Sequence, residues 1–161
     1  MYTIVVIAIL HNVRSLHNVG SIFRTADAAG IEKLYLCGIT PTPFDRFGAV
    51  RQQVGKVSLG AEKTVPWEKI VSTTRLIDKL KKEGYKIFAL EQSKNSTPYN
   101  KVGTTPRGSR VALLVGHEVK GLPAAILKKA DRILEIPMVG EKESLNVAVA
   151  FGVMAFKLIH G

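Results

Sequence analysis

The runs TIVVIAI (residues 3–9) and RVALLVG (110–116) constrain the fold more than any other feature of the chain. Both are short, almost wholly apolar and rich in β-branched residues, as buried strands are. EKLYLCG (32–38), YKIFAL (85–90) and DRILEI (131–136) contain further strands of this kind. Helical patterns lie between them. Asn18 to Ala29 reads as a helix stopped by Gly30. Residues 44–54 read as a short basic helix, after a loop forced by Pro41 and Pro43. Pro66 is placed to open a helix over EKIVSTTRLIDKLKKEG (68–84), where Ile70, Leu76, Ile77 and Leu80 fall at roughly helical spacing and Gly84 ends it. Residues 91–110 form a long polar loop and 123–130 a short helix. SLNVAVAFGVMAFKLI (144–159) is a final helix, apolar nearly all round.

Apolar strands alternating with helices describe an α/β fold: a mainly parallel sheet with helices on both faces. Ligands of such sheets sit beyond the carboxyl ends of the strands, so the loops after Leu90, Val115 and Ile136 are where a site is expected. The last helix has too little polar face for a solvated position. It is buried in the monomer or packs against a second subunit, and a homodimer is the expectation. At 161 residues, with no linker, the chain reads as one domain.

Composition narrows the function. A net charge of +10 favours a polyanionic partner, nucleic acid ahead of an anionic membrane. The single cysteine, Cys37, excludes an intramolecular disulfide and any CxxC zinc site, and fits a reducing cytosol. MYTIVVIAILHNVRSL has no basic start and no small-residue cleavage site, and its apolar run stops after Leu10, so it reads as a first strand rather than a signal peptide. No stretch approaches the ~18 uninterrupted apolar residues of a membrane span. His11, His17, His117 and His160 show no metal-ligand spacing, and no metal is expected. GxGxxG and GxSxG are absent. GAVRQQVGKV (48–57) is too widely spaced for a phosphate loop and carries Val57 where a hydroxyl must hold magnesium.

Three segments stand out instead. In HNVGSIFRTADAAG (17–30), Asn18 and Gly20 sit where a loop enters a helix, with Arg24 inside it. A helix start offers free N–H groups and partial positive charge to an anion, although Asn18 reads equally as an ordinary cap. In LLVGHEVKGLP (113–123), a buried strand ends at Gly116, where a ligand can approach the backbone closely, and Glu118 and Gly121 occupy the turn. In IPMVGEKESLNVAVA (136–150), Pro137 and Gly140 shape a loop and Ser144 can cap the last helix, leaving Asn146 in its first turn.

In this order and spacing the three segments resemble the signature motifs of the SpoU-type branch of the SPOUT superfamily, S-adenosylmethionine-dependent RNA 2′-O-ribose methyltransferases. Asn18, Gly20 and Arg24 match its Asn-x-Gly-x-x-x-Arg start. Gly116, Glu118 and Gly121 match its Gly-x-Glu-x-x-Gly core. Ile136, Pro137 and Met138, then Ser144, Leu145, Asn146 and Val147, match its last motif, and KVSLGAEKTVPW (56–67) its middle region. The resemblance implies a C-terminal deep trefoil knot that forms the S-adenosylmethionine pocket, and a working dimer. It implies Leu90, Gly116, Ile136, Met138, Ser144 and Leu145 around the cofactor. It makes Arg24 the catalytic residue, with Asn18, Glu118, Ser144 and Asn146 shaping the site. The substrate is then tRNA or rRNA in the cytoplasm. Arg14, Arg46, Arg51, Lys56, Lys63, Arg107 and Arg110 are candidates for phosphate contacts. Larger relatives carry an added RNA-binding domain or extension, whereas this chain starts at its first strand, so RNA recognition is expected from the catalytic domain, its dimer groove or a helper protein. Two other readings remain: a non-catalytic RNA-binding or ribosome-assembly module on the same fold, and a SPOUT enzyme methylating an RNA base.

Overall fold

The computed structural model describes residues 3–161. Met1 and Tyr2, where the reading against a signal peptide begins, lie outside the described residues. Seven strands, β1 (Val5–His11), β2 (Leu34–Cys37), β3 (Trp67–Ile70), β4 (Lys86–Leu90), β5 (Thr97–Pro98), β6 (Arg110–Val115) and β7 (Arg132–Glu135), form one sheet in the order β3-β2-β1-β6-β4-β7-β5. Every pairing is parallel. β1 lies between β2 and β6, with Ile9 opposite Tyr35 on one side and Leu114 on the other. This is the parallel sheet expected of apolar runs that must be covered on both faces.

The helices are α1 (Leu16–Ala29), α2 (Gln52–Ser58), α3 (Ala61–Thr64), α4 (Thr73–Lys82), α5 (Ala124–Leu127) and α6 (Val147–His160). The period of two along each strand sorts them. Val6, Ala8 and Leu10 of β1 point to the face that packs Val19, Ile22, Phe23 and Ala26 of α1 and Phe151, Met154 and Leu158 of α6. Ile7 and Ile9 point to the other, against Leu76, Ile77 and Leu80 of α4 and Ile126 of α5. Phe23 and Phe151 are fully buried; truncating either to alanine would cost about 3–5 kcal/mol.

Several elements differ from the sequence reading, each for a local reason. The helix expected over residues 44–54 starts only at Gln52. Before it, Asp45 accepts the backbone N–H groups of Phe47 and Ala49, and Gly48 takes a left-handed φ of 81°, which closes a tight turn instead. Pro66 opens a strand, not a helix: residues 67–70 pair with β2, and helix begins at Thr73, where the Ser72 hydroxyl accepts the N–H of Arg75. Ile70 therefore lies on β3 rather than on the apolar stripe of α4. The polar loop after β4 contains β5 and a short 3-10 turn, Tyr99–Lys101. α1 begins at Leu16 because Ser15, not Asn18, is its cap. α6 begins at Val147 because Asn146, not Ser144, is its cap: Asn146 Oδ1 accepts from the N–H groups of Ala148 at 2.8 Å and Val149 at 3.3 Å. One side of α6 is buried, while Val149 and Phe156 stay 53% and 44% exposed.

Candidate active site

The three segments singled out in the sequence converge at the carboxyl edge of the sheet. Glu118 follows β6 and reaches the residues just ahead of α1. Its Oε1 accepts from the backbone N–H of Ser15 at 2.9 Å and from Asn18 Nδ2 at 3.4 Å, and its Oε2 accepts from the N–H of Arg14 at 3.2 Å. Asn18 Oδ1 in turn accepts from Asn146 Nδ2 at 3.0 Å. One chain of hydrogen bonds thus joins the starts of α1 and α6 to the loop after β6, across more than a hundred residues of sequence. Burial pushes the Glu118 carboxyl up, but the N–H groups of Ser15, Glu118 itself and Arg14, with the Asn18 amide, outweigh burial and hold it below the usual carboxylate range. The charge also sits at the positive end of α1.

On one side of this chain is a cavity of about 330 Å³, lined by the residues that follow β4, β6 and β7 and by the start of α6. Leu90, Gly116, Ile136, Met138, Ser144 and Leu145 all line it, as does Glu118. Its wall mixes apolar side chains with the carboxylates Glu91, Glu135 and Glu143. That composition suits a flat apolar group joined to a cation. On the other side is a shallower groove between α1 and α6, lined by His17, Ser21, Thr25, Asn146, Ala148, Val149 and Gly152. Glu118 and Asn146, two ends of one hydrogen-bonded chain, therefore face two different openings.

Arg24 stands apart from both linings. It is exposed on α1, and none of the ion pairs among the described residues (Lys33–Glu68, Lys79–Glu83 and Lys129–Asp78) involves it. Ser144 is exposed at the rim of the cavity and takes no part in capping α6. Gly116 and Gly20 have reasons other than those read from the sequence. A Cβ on Gly116 would lie 2.8 Å from the Gly121 carbonyl, so the backbone that approaches it is the chain's own. A Cβ on Gly20 would lie 2.6 Å from Val57 Cγ2 and 2.7 Å from the Val54 carbonyl oxygen, so Gly20 lets α1 and α2 touch.

The sequence reading missed two side chains that build the site. Glu91, directly after β4, accepts the N–H of Leu122 at 2.7 Å through Oε2 and the N–H of Gln92 at 3.1 Å through Oε1, fixing the turn that carries Glu118 and Gly121. Its only signal was an acidic residue at the end of an apolar strand. Thr40, fully buried, donates to the Leu10 carbonyl at 2.9 Å and accepts the N–H of Val13 at 3.0 Å, which ties the loop after β2 to the loop after β1. Among the described residues no cluster of His, Cys, Asp or Glu is placed to hold a metal ion, and no helix is long and apolar enough to cross a membrane.

Comparison with known proteins agrees with this geometry. A model of the SpoU rRNA methylase family matches residues 5–156. A protein of Staphylococcus saprophyticus assigned to the TrmH family of tRNA/rRNA methyltransferases is 34% identical over 152 residues, covering 94% of this chain and 57% of its own length. The chain thus spans little more than half of that relative. The crystal structure of an AdoMet-bound rRNA methyltransferase from Sinorhizobium meliloti superposes with a TM-score of 0.82 at 30% identity, over 95% of this chain and 55% of that one. A structure bearing on 2-OH methylation of C/U34 on tRNA superposes with a TM-score of 0.76 at 25% identity, over 98% of this chain and 95% of that one. With all three motif segments inside the matched span and hydrogen-bonded to one another, the chain belongs to the SpoU rRNA methylase family.

Proposed function

We propose that the protein methylates a ribose 2′-hydroxyl of tRNA or rRNA, taking the methyl group from S-adenosylmethionine. The observation that carries this reading is the Glu118–Asn18–Asn146 chain between a cavity and a groove. S-adenosylmethionine supplies a methyl already activated as a sulfonium cation. The cavity suits it: Leu90, Ile136 and Leu145 offer apolar surface for an adenine, and Glu91, Glu135 and Glu143 offer negative charge to a cation. Glu118 and Asn146 hold the two openings in register, so the residues of the chain contribute mainly orientation. This lining would hold the cofactor with its methyl group offered to the 2′-oxygen, whose proton would pass to solvent water. Arg24, a permanent cation, is a poor base; its role in this reading is to orient the 2′-oxygen and stabilise the charge that develops on it. The structures of the AdoMet-bound rRNA enzyme and of the enzyme bearing on 2-OH methylation of tRNA support the cofactor and the ribose target.

The same reading takes the described residues as one catalytic domain working in the cytoplasm. It includes the C-terminal knot that the family resemblance implies, a reading supported by the superposition on the Sinorhizobium meliloti enzyme over 95% of this chain. It includes a homodimer through α6, supported by exposed Val149 and Phe156.

Incubation with methyl-labelled S-adenosylmethionine and unmodified total RNA, followed by nucleoside analysis, tests it. A 2′-O-methyl nucleoside is expected, with transfer lost in Arg24→Ala while cofactor binding is kept. A methylated base, or binding of the cofactor with no product on any RNA, refutes the ribose assignment. Full transfer by the variant refutes the role of Arg24.

A further inference from the structure

The loop after β2 carries a feature that the transfer chemistry leaves unused. Phe47 is 81% exposed, at the tip of a turn built to hold it. Asp45 Oδ1 accepts the N–H of Phe47 itself at 2.8 Å and that of Ala49 at 3.0 Å, and the turn closes through an Asp45 N–H bond to the Ala49 carbonyl at 2.8 Å. Phe44 and Val50 bridge its base, and the N–H of Arg51 donates to the Pro43 carbonyl at 2.9 Å. The Arg46 guanidinium lies 4.8 Å from the centre of the Phe47 ring, covering one face and leaving the other to solvent. Leaving a large aromatic side chain in water on a rigid turn gains the fold nothing.

We propose that Phe47 and Arg46 form a stacking platform for an unpaired base of the RNA substrate, close to the nucleotide that is methylated. This rests on the reading of the protein as an RNA-modifying enzyme. A ring with one open face accepts any base, and a guanidinium stacked behind it adds charge for the flanking phosphate. A turn ordered beforehand by Asp45 lowers the entropy lost on binding. Position favours the same occupant. The loop leaves the sheet at its carboxyl edge, and Thr40 ties it to Val13, next to the Arg14 N–H that Glu118 accepts. An anionic chain suits the +10 charge of the protein. A base inside a duplex has no free face, so the platform selects loops and single strands.

The test uses the full chain with a 12-nucleotide single-stranded oligoadenylate and a 12-base-pair RNA duplex as probes. Phe47→Ala is expected to weaken single-strand binding about 5- to 150-fold, the range of one lost base–aromatic stack, with duplex binding within about twofold. Phe47→Trp should keep the affinity, and its added indole emission should be quenched by the single strand and not by the duplex. Phe47 makes no buried contact, so S-adenosylmethionine binding should be equal in all variants. Unchanged single-strand affinity in Phe47→Ala overturns the platform, even where the wild type methylates RNA. Equal losses on both probes overturn it as well. So does loss of binding to phosphatidylglycerol vesicles with RNA binding intact, which would assign the side chain to a membrane. Selective loss on the single strand, in a protein that methylates no RNA, leaves the platform standing and refutes the methyltransferase reading instead.

Discussion

Glu118 is the strongest test of how the site is held together, and Glu118→Gln isolates its charge at nearly constant shape. The carboxylate accepts three hydrogen bonds from the start of α1, two on Oε1 and one on Oε2. An amide has one acceptor oxygen. If that oxygen keeps Ser15 and Asn18, an NH2 group faces the N–H of Arg14, and the alternative orientation is worse. One hydrogen bond to a charged group is lost, worth about 1.5–3 kcal/mol before water replaces part of it, with a few tenths more from the end of the helix. We expect a loss of about 2 kcal/mol, which for a domain of this size lowers Tm by about 4–8 °C. The pH dependence makes the test specific. The folded carboxyl lies below the ordinary value of 4.5, so its contribution is complete above that value and disappears as the pH falls through the lower folded one. Glutamine does not titrate. Urea unfolding of the two proteins from pH 7 downward should therefore show a gap that is constant well above the ordinary carboxylate value and narrows as the pH falls below it. A gap that does not narrow with falling pH, or none at pH 7, would refute the tether. Adding Asn18→Ala should give a coupling of about 0.5–3 kcal/mol with Glu118→Gln, because the two side chains share a bond.

Two other measurements probe features that are structural rather than chemical. Gly20→Ala places a Cβ against the Val54 backbone at 2.7 Å; the strain, about 1–3 kcal/mol, exceeds the helix-propensity gain of about 1 kcal/mol and should lower Tm. Gly152→Ala meets only the Thr25 methyl at 3.3 Å, which can rotate away, and should be neutral or raise Tm by a few degrees; reversal of this order in a thermal melt refutes the packing argument. Burial pushes the Cys37 thiol up to about 11, leaving roughly one thiolate in a thousand at pH 8. A disulfide reagent at pH 8 should react with it at least about a hundredfold more slowly than with a free cysteine until urea unfolds the chain.

How much of this could be read from the sequence depends on where the free energy of each feature resides. β1 and β6 were legible because complete burial demands apolar residues along the whole run, and Gly30 and Gly84 were legible because φ values of 94° and 90° favour glycine. β3 was not: it is an edge strand with only partial cover, so Glu68 and Lys69 are tolerated, and the spacing of Ile70 imitates the helix that follows. The site divides in the same way. The motif types and their order suffice to recognise the family, but the spacing of Asn18, Glu118 and Asn146 says nothing about which of their atoms meet. Each was a candidate for shaping the site around Arg24. In the folded chain Asn18 donates to Glu118 and accepts from Asn146, while Glu118 and Asn146 bond the backbone ahead of α1 and at the start of α6. In the proposed function, polar atoms occupied in that way hold a geometry rather than enter a reaction. Arg24 is exposed and outside every ion pair among the described residues, which in the same proposal leaves it to meet the RNA. Substitutions in the tether should therefore change stability along with any activity, whereas Arg24→Ala should change activity alone.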